Sequence, residues 1–207
     1  VWLVPSTARQ ADLLSVALGA AKWLEESALC NHVDHGRRRC HWPLNSTDSA
    51  PALHPQLTSS LYYGSPGVAL FFRQLVNAAG NDTKQASHWE AATEAAVEDV
   101  QHGAARAKAA YGANVGFYYG LAGIAYGLRA SSCNRSQGHA EALRSASELE
   151  AHILAFVLPF SSSSKAILWN NTDVAHGVAG TGLYLLWVVR RLPSTIERKA
   201  LLDATRR

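Results

Sequence analysis

The chain has 207 residues, of which 48% are hydrophobic and 17% are charged, and its formal net charge is +3. This length and composition suit a globular domain with a sizeable core. The Lys and Arg residues are scattered, which argues against a nucleic-acid partner. No apolar run reaches the roughly 18 residues that a membrane span requires, so no membrane span is predicted.

The first predicted element is an amphipathic helix over 11–28, where Leu and Ala recur at helical spacing. The segment 30–57 follows and is predicted to be a long loop, disordered in part, because it is rich in Pro, Ser and Asn. Three cysteines in the whole chain are too few for a disulfide framework, so we expect reduced thiols and a cytoplasmic location.

The stretch "CNHVDHGRRRCHW" in this loop resembles a metal site. Cys30, His32, His35 and Cys40 offer the nitrogen and sulfur ligands that zinc binds tetrahedrally. Their spacing fits no standard zinc finger, and the two cysteines lack a second pair. We therefore prefer two alternatives: a loop with chance ligands, or a Cys30–Cys40 disulfide in a secreted protein.

Three later stretches share a G-x-x-G motif followed by an apolar helix: "SLYYGSPGVALFF", "GFYYGLAGIAYGL" and "DVAHGVAGTGLYLL". Their glycine pairs are Gly64/Gly67, Gly120/Gly123 and Gly177/Gly180. The first glycines are 56 and then 57 residues apart. A fixed period of about this length is typical of a repeat protein.

Amphipathic helices are predicted between the motifs, over 82–110 and 137–158, and strand signals are absent. Each repeat is then a helical hairpin. Its apolar helix belongs inside and its amphipathic helix outside. Such hairpins predict an all-α fold, an α/α toroid with inner and outer helix rings, here a partial ring in a single domain over 1–207.

The glycines of each pair have different predicted roles. The first is expected to adopt a positive φ in the turn before the inner helix. The second lies one helical turn later, where its missing Cβ is expected to let a neighbouring helix approach closely. Glycine inside a helix costs about 1 kcal/mol relative to alanine, so three such positions indicate a packing requirement.

The three motifs resemble the inner-helix motifs of the lanthionine synthetase C-like family, the cyclases of lanthipeptide biosynthesis and their eukaryotic relatives. The resemblance covers about 13–201 and implies an α/α toroid. It also implies a zinc ion that activates a cysteine thiolate for addition to a dehydroamino acid in a peptide. The family's zinc ligands lie in "W-C-x-G" and "C-H-G" motifs of its C-terminal half. Zinc is thus expected by resemblance, but its ligands are absent from this chain, which resembles the N-terminal half.

The resemblance also implies two site residues. Asp173 stands four residues before Gly177, as does the Asp of the family motif "Y-D-V-I-x-G-x-x-G", so it is the candidate catalytic acid/base. His176 stands directly before Gly177, as in the family's "H-G-x-x-G" motif, and is a lesser candidate. The alternatives are a helix N-cap for Asp173 and a core histidine for His176.

Tyr62, Tyr63, Tyr118 and Tyr119 precede the first two glycine pairs. Of these, Tyr63 and Tyr119 are the residues we predict to line the cavity and to hydrogen-bond a peptide substrate. Packing in the core is the alternative.

Three functions are compared. The first is thioether formation on a peptide, with a peptide or small-thiol substrate; this chain alone is expected to be inactive. The second is a non-catalytic peptide- or protein-binding repeat module. A glycan-processing barrel comes last, because only Asp173 is placed for the paired carboxylates it needs. An open ring exposes apolar helix surface, which predicts self-association.

Overall fold

The computed structural model describes residues 7–33, 36–42, 59–111, 114–132, 138–161, 173–175 and 177–191. The described part is mostly helical, which confirms the all-α prediction. Two short strands, β1 (Leu29–His32) and β2 (Arg38–His41), are also present. The helices are α1 (Thr7–Ser27), α2 (Ser65–Ala78), α3 (Thr83–Tyr111), α4 (Leu121–Ser131), α5 (His139–Ser161) and α6 (Val178–Val189).

Helices α2, α4 and α6 form the inner layer, and each follows one of the glycine motifs. Helix α4 contacts α2 on one side and α6 on the other. Helices α3 and α5 form the outer layer: α3 packs against α2, α4 and α5, and α5 packs against α4. This arrangement of inner and outer helices agrees with the predicted toroid fragment.

The central position of α4 follows from its sequence, "LAGIAYGLRAS", which is small or apolar on nearly every side. A helix of this kind has no face suited to water, so it is buried among its neighbours. Its buried residues are Leu121, Ala122, Gly123, Ile124, Ala125, Gly127, Leu128 and Ser131. The largest core cluster forms around this helix from the facing sides of α3, α5 and α6.

A polar network crosses the layers beside this core. The Arg129 guanidinium on α4 donates to both Glu150 carboxylate oxygens on α5, at 2.5 and 2.6 Å. The Tyr184 hydroxyl on α6 donates to Oε1 of Glu150 at 2.5 Å. Burial raises the pKa of Tyr184 well above its usual value, and the nearby Glu150 charge raises it further. The neutral phenol and the ion pair therefore join three helices.

The β1–β2 hairpin corrects two expectations from the sequence. The strands are antiparallel with Cys30 opposite Cys40, and the two cysteines form a disulfide. The predicted loop is thus partly a hairpin, and the expectation of reduced thiols does not hold for this pair. The strand sequences, LCNH and RRCH, lack the alternating β-branched residues that would have signalled a strand. Residues 43–58 of the predicted loop lie outside the described residues.

The hairpin is held on the outer layer by charge. An Arg37 guanidinium nitrogen lies 2.9 Å from Glu98 on α3 and 3.4 Å from Glu141 on α5. The indole of Trp42 donates to the carbonyl oxygen of Leu24 on α1 at 2.7 Å. Trp42 and Ala21 of α1 also share a hydrophobic cluster with Phe72 and Trp89, which joins α1 and the hairpin to the first repeat.

Candidate functional site at the turns before the inner helices

The turns that precede α2, α4 and α6 lie side by side. The Tyr62 N–H donates to the carbonyl oxygen of Tyr118 at 3.2 Å, and the Tyr118 N–H donates to that of Ala175 at 3.0 Å. Each of these residues stands two positions before the first glycine of its motif. We call this row of three backbone-linked turns, at 59–64, 114–120 and 173–175, the turn ladder. Because it connects equivalent residues of consecutive repeats, it brings the amino-terminal ends of the inner helices together.

The first glycine of each motif is the helix N-cap, but none has the predicted positive φ. The φ angles are −118° at Gly64, −142° at Gly120 and −106° at Gly177, all in the extended region. An extended N-cap is open to many residue types, so that prediction is wrong. At Gly120 the requirement is space, because a Cβ there would lie 2.4 Å from the Gly116 nitrogen.

The second glycine of each motif lies against the backbone of its own turn. In every repeat, an added Cβ would collide with the carbonyl oxygen of the residue six positions earlier. The distances are 2.3 Å from Gly67 to Leu61, 1.9 Å from Gly123 to Phe117 and 1.8 Å from Gly180 to Val174. Real Cβ contacts are essentially never shorter than 3.0 Å. The predicted close approach exists, but the group that approaches most closely is the chain's own turn and not a neighbouring helix.

The neighbouring repeat supplies a second close contact at the same glycines. A Cβ on Gly123 would lie 2.8 Å from Cβ of Leu61, in the preceding turn of the ladder. A Cβ on Gly180 would lie 2.9 Å from Cβ of Phe117 in the same way. The second glycine therefore fixes both the turn of its own repeat and the distance to the repeat before it.

Four tyrosines form a cluster on the turn ladder. The ring centroids of Tyr62 and Tyr63 are 4.7 Å apart, and that of Tyr119 lies 5.3 Å from Tyr62 and 5.7 Å from Tyr63. Tyr118 lies 6.4 Å from Tyr62. Tyr62 is 60% exposed and Tyr63 42% exposed. Exposure of this size favours a surface role for the cluster over packing in the core.

Two phenols of this cluster, those of Tyr63 and Tyr119, are linked by a hydrogen bond. Loss of solvent, followed by a side-chain hydrogen bond with Tyr63, raises the pKa of Tyr119. Tyr119 is therefore a neutral phenol at physiological pH, able both to donate and to accept a hydrogen bond. Paired donors and acceptors of this kind match the amide groups of a peptide.

Asp173 lies in the bend at 173–175, directly before α6, and is exposed. Because Ala175 accepts the Tyr118 N–H, this bend is adjacent to the tyrosine-bearing turn. The corresponding position four residues before Gly64 is Ser60, which is buried and accepts the Tyr63 N–H at 3.1 Å. The sequence analysis did not identify Ser60, although Ser60 and Asp173 each stand four residues before the first glycine of their motif. His176 lies outside the described residues.

Asn114 is a second residue that the sequence analysis missed. Its carbonyl oxygen accepts the Leu121 N–H at 3.1 Å, and its side-chain oxygen accepts the Gly116 N–H at 3.2 Å. Its side-chain amide donates to the carbonyl oxygen of Tyr119 at 3.1 Å. These three bonds fix the turn that carries Tyr118 and Tyr119. An Asn before a glycine turn is the signal that could have identified it.

The described residues do not fit a zinc site. Cys30 and Cys40, two members of the alternative ligand set, are bonded to each other, so neither offers a thiolate. His35 lies outside the described residues. Among the residues that the structure describes, no group of three or more His, Cys, Asp or Glu side chains is arranged to hold a metal ion.

The family model for lanthionine synthetase C-like protein matches residues 55–206. The chain belongs to the lanthionine synthetase C-like family. This match includes all three turns of the ladder, whereas α1 and the β1–β2 hairpin precede it. No curated protein and no solved structure matched the chain. As to membranes, no helix in the described part of this family member combines the length and apolar character that a span requires.

Proposed function

We propose that the chain positions a peptide and an acid/base group for the addition of a thiol to a dehydroamino acid, which forms a thioether. The observation that carries the proposal is the turn ladder. It places the bend of Asp173 beside the exposed tyrosine cluster, at the shared amino-terminal ends of the inner helices. Family membership supports the peptide substrate class, and a small thiol is the second substrate.

The proton balance of this reaction suits one carboxyl group. The thiol loses its proton, and a carbon–sulfur bond forms at the β-carbon as the carbon–carbon double bond becomes single. A proton then joins the α-carbon, so no atom is lost. In our proposal the Asp173 carboxylate accepts the thiol proton and returns one to the α-carbon.

The tyrosines have a binding role in this proposal. The Tyr63 and Tyr119 phenols hydrogen-bond the peptide backbone, and the exposed rings pack against its side chains. His176 is proposed as an additional polar group directly before Gly177. In the family, zinc supplies thiol activation; here its sequence motifs are absent, so we expect the chain alone to bind peptide and to add thiol slowly or not at all.

A dehydroalanine-containing peptide tests the proposal through two measurements, fluorescence anisotropy for binding and mass spectrometry for addition of glutathione. We expect binding by the wild-type chain and weaker binding by the double variant Tyr63→Phe, Tyr119→Phe. Any addition above the uncatalysed rate should be lost in Asp173→Asn and kept in Asp12→Asn, an exposed carboxylate on α1. Absence of both binding and addition in the wild type would overturn the proposal.

The second candidate is a non-catalytic peptide-binding module. It is favoured by the exposure of the tyrosine cluster, which suits a binding surface as well as a reaction site. It predicts binding that depends on Tyr63 and Tyr119, no thiol addition, and no effect of Asp173→Asn on the affinity. The same pair of measurements therefore separates the two functions.

We propose the cytoplasm as the compartment, because three cysteines are too few for a disulfide framework. The Cys30–Cys40 disulfide stands against this location, because disulfides are rare in reducing compartments. The small net charge of +3 supports the absence of a nucleic-acid partner. Self-association through the open ring stays a proposal, since an open ring exposes apolar helix surface.

A further inference from the structure

The two cysteines of the β1–β2 hairpin differ in their access to solvent. Cys30 on β1 is partly exposed, whereas Cys40 on β2 is buried, with 3% of its surface exposed. The two residues stand opposite each other in the antiparallel register and are bonded to each other. A small molecule in solution therefore reaches the sulfur of Cys30 more easily than that of Cys40.

Arg38 places a positive charge beside the more accessible sulfur. A guanidinium nitrogen of Arg38 donates to Sγ of Cys30 at 3.1 Å. This contact follows from the register of the strands. Arg38 and Cys40 are two residues apart on β2 and share a face, so Arg38 is the diagonal neighbour of Cys30. A cation next to a cysteine favours its thiolate, which is the form that attacks disulfides.

The arginines on either side of Arg38 hold β2 in place by ion pairs. Arg37 lies within 4 Å of Glu98 on α3 and Glu141 on α5, and Nε of Arg39 lies 3.9 Å from a carboxylate oxygen of Asp99 on α3. These ion pairs do not involve the disulfide. We therefore expect β2 to stay on the outer layer, with its cysteine buried, when the disulfide is reduced.

We propose that Cys30 and Cys40 form a reversible thiol–disulfide pair that exchanges with small thiols and their disulfides. Cys30 forms the mixed disulfide with the small molecule, and Cys40 is the resolving cysteine. Redox-responsive cysteines have in common a solvent-accessible, thiolate-stabilising site next to a second cysteine. Disulfides in cytosolic proteins are usually transient and of this kind, so an exchanging pair reconciles the disulfide with the proposed cytoplasmic compartment.

The exchange proceeds in two steps through Cys30. In the reduced chain, the Cys30 thiolate attacks one sulfur of a small disulfide, which forms a mixed disulfide and releases one thiolate. The Cys40 thiol then loses its proton, and its sulfur attacks that of Cys30. This second step forms the Cys30–Cys40 bond and releases a second thiolate. Two electrons pass from the cysteines to the small disulfide, and their two protons join the two thiols released. Excess thiol drives the same steps in reverse.

Mass spectrometry of the mixed disulfides tests the order of the two cysteines. The full chain carries Cys133→Ser, which leaves Cys30 and Cys40 as its two cysteines. It is reduced, mixed with 2-hydroxyethyl disulfide and quenched with N-ethylmaleimide at successive times. Cys40→Ser should accumulate the adduct on Cys30, and Cys30→Ser should form it on Cys40 at least about tenfold more slowly, because Cys40 is buried. In concentrated urea the two rates should become equal.

Arg38→Gln tests the effect of the neighbouring charge. The probe is neutral, so the charge acts through the Cys30 thiolate and not by steering the probe. About tenfold less thiolate, partly offset by about threefold greater nucleophilicity, should slow adduct formation about threefold at pH 7. Arg38→Lys should recover most of the rate. Arg106→Gln is the matched control, because it removes an exposed arginine from α3 outside the hairpin; its rate should equal that of the wild type.

Reduction of the folded chain separates this pair from a purely structural disulfide. We expect 2-mercaptoethanol to reduce the Cys30–Cys40 bond while circular dichroism shows that the helices are retained, and 2-hydroxyethyl disulfide to restore the bond. A bond that is reduced only in urea would overturn the proposal, as would a faster adduct on Cys40 or an unchanged rate in Arg38→Gln. The proposal is independent of thioether formation, since Asp173→Asn should exchange at the wild-type rate.

Discussion

A single methyl group is the sharpest probe of the turn ladder, because the second glycine of each motif has no room for one. In Gly180→Ala the new Cβ would start 1.8 Å from the Val174 carbonyl oxygen, which is backbone and cannot rotate away. We expect a loss of about 1–3 kcal/mol in the free energy of unfolding, as for other overpacked sites. Urea denaturation measures this loss.

Gly182→Ala is the control on the same helix. Apart from its neighbours in the backbone of α6, no atom lies within 4 Å of its added Cβ. The helix propensity of alanine should therefore raise the free energy of unfolding by up to about 1 kcal/mol. Equal effects of the two substitutions would show that the turn contact adds no cost at Gly180.

The structural role of these glycines could be predicted from the sequence only in part. Their shared period indicated a common packing requirement, and the requirement exists at Gly67, Gly123 and Gly180. Spacing could not show which atoms come close, because the contacted carbonyl is identified only once the turn has folded back on its helix. The roles of Ser60 and Asn114 were missed for the same reason, since their hydrogen bonds are made to the folded turn.

At the scale of elements, helices were predicted well and the hairpin was missed. The expected helix over 82–110 is Thr83–Tyr111, and that over 137–158 is His139–Ser161. Helical periodicity extends over many residues, so it identifies a helix even where the first and last residues are predicted inaccurately. The four-residue strands contain no comparable pattern. They are held by the Cys30–Cys40 disulfide and by Arg37, whose partners Glu98 and Glu141 are distant in sequence.

The network between α4, α5 and α6 predicts a pH dependence of stability. Burial and Glu150 raise the pKa of Tyr184 in the folded state. Just above pH of about 10, the Tyr184 hydroxyl therefore loses its proton in the unfolded state but keeps it in the folded state. The unfolded state then binds fewer protons than the folded state, so the free energy of unfolding falls as pH rises further. The Tyr184 contribution is complete below pH of about 10 and is lost above it.

Tyr184→Phe isolates this contribution. At pH 7 the variant should lose about 1–2 kcal/mol, because Glu150 loses the hydroxyl as a donor. Above pH of about 10 its free energy of unfolding should fall less steeply than that of the wild type, by up to about 1.4 kcal/mol per pH unit. Urea denaturation from pH 7 to 10.5 measures both slopes. Parallel curves would contradict the assignment of a raised pKa to Tyr184.

At the scale of the whole molecule, the order of inner and outer helices followed from the sequence, because three apolar helices alternate with long amphipathic ones. The exposure of the residues at the edge of this helix array did not follow from the sequence. Leu183 looks like a core residue in sequence, and its 57% exposure depends on what packs beside α6. That residues 1–207 form a single domain stays a prediction.

The turn ladder also predicts how mutational effects combine across repeats. Gly123 and Gly180 both contact Phe117, the first through its carbonyl oxygen and the second through its Cβ. Gly67 and Gly180 share no such neighbour. Mutations with a shared partner couple by about 0.5–3 kcal/mol, whereas independent sites add within about 0.5 kcal/mol. We therefore expect coupling for Gly123→Ala with Gly180→Ala, and additivity for Gly67→Ala with Gly180→Ala.

Two double-mutant cycles, measured by urea denaturation with a stabilising osmolyte to keep every variant folded, test this expectation. The sign of the coupling follows from the geometry. Once Gly123→Ala has displaced the Phe117 backbone, Phe117 no longer presents its original Cβ position to residue 180, so the second substitution should cost less than it does alone. If the losses in the free energy of unfolding were additive in both cycles, each turn would adjust to its substitution independently. The ladder would then align the repeats without coupling their stabilities.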